Sequence, residues 1–218
     1  METSHSDIGT EQARLYRQAS LLAIFTIGYN LIEGALSIWL GLADETLSLF
    51  GFGVDSFIEV VSAVGIWHML WRIRQNNGQS RDEFEQRALR ITGGSFYLLS
   101  IGLAATAAMN LYNDHKPEAT IWGVAVSVVS MLFMWLLIQM KTKVGTKLGS
   151  SAILADAACS RACLYMSLVL LVASFGYELT HIGYLDAIGA LIIAWLTWKE
   201  GRESFSKAAG QSCSCCKH

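Results

Sequence analysis

Two pairs of residues that can bind metal ions lie inside long apolar stretches of the sequence. Asp55 and Glu59 form one pair, and Cys159 and Cys163 form the other, each with an i, i+4 spacing. Residues with this spacing share one face of an α-helix. A carboxylate or thiolate in hydrocarbon is costly unless it is paired, protonated or metal-bound, so such a cluster indicates a functional site. The pattern predicts a site for metal transport.

The donor types narrow the choice of metal. Two i, i+4 pairs on facing helices can supply four ligands, which is the number that tetrahedral Zn²⁺ accepts. Thiolates favour soft cations such as Zn²⁺, Cd²⁺ and Hg²⁺ over Mg²⁺, Ca²⁺ and Mn²⁺. A disulfide between Cys159 and Cys163 suits the spacing less well, because Cβ atoms at i and i+4 lie about 5–6 Å apart, beyond the ~3.5–4.5 Å that a disulfide prefers.

The composition predicts an all-α polytopic membrane protein. Hydrophobic residues make up 53% of the chain, charged residues make up 16%, and there is one proline; a soluble domain carries charge on about a quarter of its residues. Six segments approach or exceed the ~20 apolar residues that cross a bilayer as a helix. They are residues 18–43, 46–71, 89–112, 118–140, 149–177 and 182–199.

The distribution of Lys and Arg predicts the orientation of these six helices. Cytoplasmic connections carry an excess of basic residues, and all but Lys116 and Arg161 of the 16 Lys and Arg fall on one side. Those on that side are Arg14, Arg17, Arg72, Arg74, Arg81, Arg87, Arg90, Lys141, Lys143, Lys147, Lys199, Arg202, Lys207 and Lys217. We therefore expect both termini in the cytoplasm, with a polar segment at 1–13, a six-helix transport domain at 14–207 and a Cys-rich tail at 208–218.

The depth of the two ligand pairs supports a shared site. With helix 2 running inward and helix 5 running outward, a rise of about 1.5 Å per residue places all four side chains roughly 9–20 Å below the outer face. That range brackets the midplane of a hydrocarbon core about 30 Å thick. Carboxyl and thiol groups at this depth are expected to hold protons, which a metal must displace on binding.

Three stretches resemble a known family, the cation diffusion facilitators. SLFGFGVDSFIEVVSAVGIW is similar to helix 2 of that family, SSAILADAACSRACLYMSLVLL to helix 5, and YLDAIGALIIAW to the start of helix 6. The resemblance covers about residues 20–207. It implies a tetrahedral divalent-cation site on helices 2 and 5, and exchange of cytoplasmic metal for protons by alternating access.

The resemblance carries over to particular residues and also shows two departures. Asp55 and Glu59 match the family's helix 2 ligands, whereas Cys159 and Cys163 stand where His and Asp are usual. Family members usually continue into a cytoplasmic domain that helps them dimerise, and fewer than twenty residues follow helix 6 here. We therefore expect a short form of the family with softer metal preference, and a homodimer stays an open alternative.

The C-terminal sequence SCSCCKH contains a second group of metal donors. Cys213, Cys215, Cys216 and His218 could bind one soft cation. The tail would then collect metal at the cytoplasmic mouth of the transport path. The alternative is a tail whose cysteines do nothing specific.

Glu33, Arg161, Asp156 and Asp186 are also charged and lie within the predicted helices. We expect Glu33 in helix 1 to pair with Arg161 in helix 5, because a lone charge at that depth is costly. Asp156 and Asp186 are predicted to be structural, with caps or interfacial water near helix ends satisfying them.

The remaining expectations concern function class and location. No phosphate loop, nucleophilic triad or nucleic-acid patch is present in the sequence, so we expect a transporter and not an enzyme, with metal, protons and the lipid bilayer as partners and no resident cofactor. The plasma membrane of a bacterium is the expected location. The alternatives are a heavy-metal uptake carrier, a membrane metal sensor that does not transport, and a thiol redox protein.

Overall fold

Six α-helices make up the part of the chain that the computed structural model describes, residues 3–43, 47–75, 81–112, 121–180 and 185–210. The helices are α1 (Thr3–Ala43), α2 (Leu47–Gln75), α3 (Arg81–Tyr112), α4 (Ile121–Leu148), α5 (Ser151–Thr180) and α6 (Leu185–Ala208). These described ranges contain no β-strand. Each predicted apolar segment corresponds to one helix, so the all-α class is confirmed.

Several helices extend beyond the apolar segment that predicted them. Helix α1 begins at Thr3, within the N-terminal segment that we expected to be a separate polar piece, and α4 continues to Leu148. Judged by length and composition over the described residues, four helices can cross a membrane: Glu11–Leu40, Phe52–Gln75, Asp82–Met109 and Ser127–Leu148. The spans predicted in α5 and α6, and the orientation of the termini, stay predictions.

The distribution of side chains is that of a membrane bundle. Large apolar residues lie on the outside, with Trp39, Leu132 and Trp195 each about two-thirds exposed. The interior contains many small and polar residues, among them Thr26, Ser62 and Thr92, which are fully buried. A water-soluble monomer seldom exposes large apolar patches. Small residues and interhelical hydrogen bonds instead hold helices together in lipid.

The helices pack in an order that brings the predicted ligand helices together. The most extensive contacts join α1 to α2, α3 to α6 and α4 to α5, and α2 also packs directly against α5. Helix α5 therefore contacts both α4 and α2. Residues on those three helices can share one buried region.

A two-residue turn fixes the α4–α5 hairpin. Gly149 has a φ of 59°, the left-handed conformation that favours glycine at the end of a helix. The backbone N–H of Ser150 donates to the Gly145 carbonyl at 3.0 Å, which closes a Schellman-type end. The Ser150 hydroxyl then accepts from the Ile153 N–H and caps the start of α5. This short turn places residues of α4 opposite residues a similar distance along α5.

A close approach of backbones fixes α2 against α1. A Cβ atom on Gly53 would lie 2.7 Å from Ile38 Cγ1 and 2.8 Å from the Gly34 carbonyl oxygen. Only glycine fits at that spacing, since a backbone carbonyl cannot move aside as a flexible side chain can. Gly53 stands two residues before Asp55, so this contact also sets the position of the first candidate ligand.

We predict that Gly53→Ala destabilises the protein. The added methyl group would overpack the α1–α2 contact and should lower the free energy of unfolding by about 1–3 kcal/mol. The matched control is Gly28→Ala on α1, where a Cβ meets nothing within 4 Å. Thermal unfolding of the purified protein in detergent compares the two variants, and equal midpoints would contradict the close approach.

Candidate metal centre

Helices α2 and α5 place the four predicted ligands in the interior of the bundle. Asp55 is 4% exposed and Cys163 is 3% exposed, while Glu59 and Cys159 are fully buried. Both cysteines are free thiols. Each pair spans one helical turn, as the i, i+4 spacing predicts, and both pairs point away from lipid.

The two pairs contact each other across the α2–α5 interface. The Asp55 carboxyl interacts with the Cys163 thiol, and the Cys163 thiol interacts with the Cys159 thiol. Ser160, the residue after Cys159, donates a hydrogen bond to Glu59 Oε1. The structure therefore brings all four predicted side chains into one buried neighbourhood.

Two carboxyl oxygens in this neighbourhood have no hydrogen-bond partner. They are Asp55 Oδ1 and Glu59 Oε2, both buried. Nearly all buried polar atoms in folded proteins are hydrogen-bonded, so an exception needs a specific explanation. A cation or a proton at these oxygens would supply one.

The four side chains do not form a finished coordination sphere. Within the described ranges, no three or more His, Cys, Asp and Glu side chains are arranged closely enough to hold a metal ion. Binding one ion with all four donors would require side-chain rotation or a small helix movement.

Lys141 of α4 is a member of this centre that sequence reasoning missed. Its side chain is 2% exposed, and its Nζ lies 2.8 Å from Asp156 Oδ2 and 3.6 Å from Glu59 Oε1. It also donates to the Ser160 hydroxyl at 2.9 Å, and Ser160 donates to Glu59 Oε1. The assignment of Lys141 to a cytoplasmic connection is wrong, because α4 continues past the apolar run and carries Lys141 into the bundle.

Asp156 is structural as predicted, but for a different reason. We expected helix caps or interfacial water to satisfy it, whereas its carboxyl group is buried and forms an ion pair with the Lys141 ammonium. Its second oxygen, Oδ1, accepts from Ser62 at 2.7 Å, and Ser62 in turn shares a 3.0 Å hydrogen bond with Thr92 of α3. One signal could have shown this: an acid inside the fifth apolar segment needs a buried cation, and Lys141 lies across the hairpin.

The predicted pair between Glu33 and Arg161 does not form. Glu33 of α1 is buried and accepts hydrogen bonds from Tyr29 at 2.9 Å and from Ser56 at 3.1 Å. Arg161 is exposed on the outer surface of α5. The prediction was wrong because hydroxyl groups on α1 and α2 satisfy Glu33 locally.

Two predictions lie outside the described residues. The side chain of Asp186 is one, although its backbone belongs to α6. The tail donors Cys213, Cys215, Cys216 and His218 are the other.

An apolar groove of about 750 Å³ lies elsewhere, between α1 and α4. Its lining includes Leu15, Phe25, Phe133 and Met140, and it contains none of the candidate ligands. The groove is separate from the buried centre.

The fold and the centre together define an integral membrane protein, a helical bundle with lipid-facing apolar residues around a buried group of acids, thiols and one lysine. The family model described as the cation efflux transmembrane domain matches residues 20–211. The chain is also 27% identical to Transmembrane protein 163 of Xenopus laevis over 192 residues. The aligned region covers 87% of this chain and 67% of that relative.

This chain belongs to the cation efflux family, also called the cation diffusion facilitators. It is accordingly a cation transporter of that type, and members of the family are transporters and not enzymes. The resemblance predicted from the residues of helices 2, 5 and 6 is confirmed.

The contact between α2 and α5 can be tested without metal transport. In a chain whose other cysteines are replaced by Ser, Asp55→Cys should react with the native Cys163 through a short thiol cross-linker, because the two side chains interact. The matched control is Val54→Cys, whose side chain is exposed on the other face of α2. A protease site engineered between α3 and α4 converts the cross-link into a gel shift. Equal cross-linking in both variants would contradict the interface.

Proposed function

We propose that the protein carries soft divalent heavy-metal cations through a site made by Asp55, Glu59, Cys159 and Cys163. The observation that carries this proposal is the pair of partnerless carboxyl oxygens, on Asp55 and Glu59, beside two buried free thiols. Those oxygens are the natural place for a cation, and the thiols add two sulfur donors. The family membership supports transport as the use of such a site.

Zn²⁺, Cd²⁺ and Hg²⁺ are the candidate substrates. Two sulfur donors with two carboxylates suit a borderline or soft ion in tetrahedral geometry. Hard ions such as Mg²⁺ prefer an all-oxygen shell with several retained waters. Burial strengthens this preference, since a retained hydration shell has little room at residues that are at most 4% exposed.

Exchange with protons is part of the proposal. Four anionic donors around a divalent ion would leave a net charge of −2 in the bundle, which is expensive in a low-dielectric interior. At least one donor would therefore keep its proton when metal is bound. Without metal the four ionised donors would carry −4, so the carboxyl and thiol groups would hold protons, and metal binding would release some of them. Uptake of metal from one side should therefore move protons the opposite way.

The direction of transport is proposed as efflux from the cytoplasm. Its support is the family, together with the soft donors of the tail, Cys213, Cys215, Cys216 and His218, which would raise the local metal concentration at the cytoplasmic mouth. The tail would bind an ion of its own and contribute nothing to the buried centre. Insertion in the plasma membrane of a bacterium and assembly as a homodimer remain predictions.

Metal flux into reconstituted vesicles tests the proposal. Asp55→Ala and Cys159→Ala each remove one donor of the centre, and we expect each to reduce transport by at least about 100-fold, since even supporting residues of metal sites change affinity or activity by 10–100-fold. The matched control is Val54→Ala, an exposed neighbour on α2. Each variant is checked for an intact, monodisperse protein in detergent before reconstitution.

The same assay separates the alternatives. A panel of Zn²⁺, Cd²⁺, Hg²⁺, Mg²⁺ and Mn²⁺, with and without a proton gradient, defines selectivity and coupling. A sensor would bind metal and carry none, and a thiol redox protein would catalyse thiol exchange and show no metal flux. Normal flux in the combined Asp55→Ala and Cys159→Ala variant would overturn the proposal.

A further inference from the structure

Lys141 lies between two carboxylates, and only one of them belongs to the proposed transport site. Its Nζ is 2.8 Å from Asp156 Oδ2 and 3.6 Å from Glu59 Oε1, and the three side chains are each at most 2% exposed. One ammonium thus interacts with two acids in a buried region.

The two acids hold Lys141 unequally. Asp156 makes the shorter contact, and Ser62 fixes the other oxygen of Asp156 at 2.7 Å. Glu59 makes the longer contact and shares the Ser160 hydroxyl with Lys141. Asp156 is therefore the anchor of the ammonium, and Glu59 is its second partner.

Glu59 has its two oxygens in different surroundings. Oε1 takes the ammonium and the Ser160 hydroxyl, whereas Oε2 has no partner. A divalent cation bound at Glu59 would lie within a few ångströms of the Lys141 ammonium. Repulsion between like charges at such a distance is large where the dielectric constant is low. The Lys141 ammonium and a metal ion therefore cannot both bind the Glu59 carboxylate at full strength.

We propose that Lys141 competes with the transported cation for Glu59. The ion pair between Lys141 and Asp156 weakens this competition, because it draws the ammonium away from Glu59. The affinity of the site for metal then depends on how the ammonium divides its interaction between Asp156 and Glu59. A carrier needs a bound ion to leave again, and an internal competitor weakens binding without adding a ligand. This inference rests on the proposed transport site at Asp55 and Glu59.

A structural role for the ion pair predicts something different. If Lys141 and Asp156 served only to join α4 to α5, removing either partner would loosen the same contact, and metal affinity would change in the same direction in both cases. Competition predicts opposite signs. Without Asp156, Lys141 has Glu59 as its remaining carboxylate partner, whereas without Lys141 nothing competes at Glu59.

The test measures equilibrium binding of Cd²⁺ to the purified full-length chain at constant pH. All variants carry Ser in place of the tail cysteines 213, 215 and 216, so that the tail does not contribute. Asp156→Asn should weaken binding roughly tenfold and the double variant Lys141→Met with Asp156→Asn should tighten it roughly tenfold, within the range of measured couplings between two bound species.

The double variant guards against misfolding. Removing one member of a buried ion pair alone leaves an uncompensated charge and is strongly destabilising, whereas the double change removes both charges together. The matched control is Lys143→Met, an exposed lysine on the same helix, which should leave affinity unchanged. Unchanged or weaker binding by the double variant would overturn the competition, whatever Asp156→Asn does.

Asp55→Ala is included to separate this inference from the proposed function. If Asp55→Ala abolishes Cd²⁺ binding while the double variant binds no more tightly than the parent, only the competition fails. If the Asp55→Ala variant binds Cd²⁺ normally, the proposed transport site is wrong, and the inference of competition is wrong as well.

Discussion

A buried carboxylate requires a cation, a proton or hydrogen-bond donors, and much of the interior of this bundle follows from that requirement. Asp156 meets it with the Lys141 ammonium at 2.8 Å, Glu33 meets it with two hydroxyl donors, and Glu59 meets it at one oxygen. Asp55 Oδ1 and Glu59 Oε2 leave it unmet. These two oxygens lie near the two free thiols Cys159 and Cys163. The proposed transport site therefore shares one network with the structural charges.

The fold serves this network through short-range backbone features. The Gly149–Ser150 turn sets α4 against α5, so that Lys141 meets Asp156 and Ser160. The Gly34–Gly53 contact sets α2 against α1, which fixes the segment that carries Asp55. Neither feature binds anything itself. Both place ionisable groups where lipid-facing side chains such as Trp39 and Leu132 keep them apart from the bilayer.

The sequence was sufficient for the class of the protein and for the helices that carry its centre, because apolar length and i, i+4 spacing depend on local sequence alone. The partners of the buried charges depend on how the helices are rotated relative to one another, and local sequence patterns do not determine that rotation. The position of Lys141 at the end of an apolar run predicts a loop, although Lys141 reaches Asp156 across the hairpin. The sequence offers Arg161 as a partner for Glu33, whereas Tyr29 and Ser56 satisfy Glu33 with hydroxyl groups. Local pattern thus predicted where the charges are, and tertiary packing decided what each one meets.

In the proposed site, one ion binds sulfur donors from α5 and oxygen donors from α2 together. X-ray absorption spectroscopy on the Zn²⁺-loaded full-length chain, with Ser in place of the tail cysteines 213, 215 and 216, measures that donor set directly. We expect about two sulfur neighbours near 2.3 Å together with oxygen neighbours near 2.0–2.2 Å, and loss of the sulfur shell when Cys159 and Cys163 are changed to Ser. A shell of oxygen and nitrogen alone in the parent protein would contradict it.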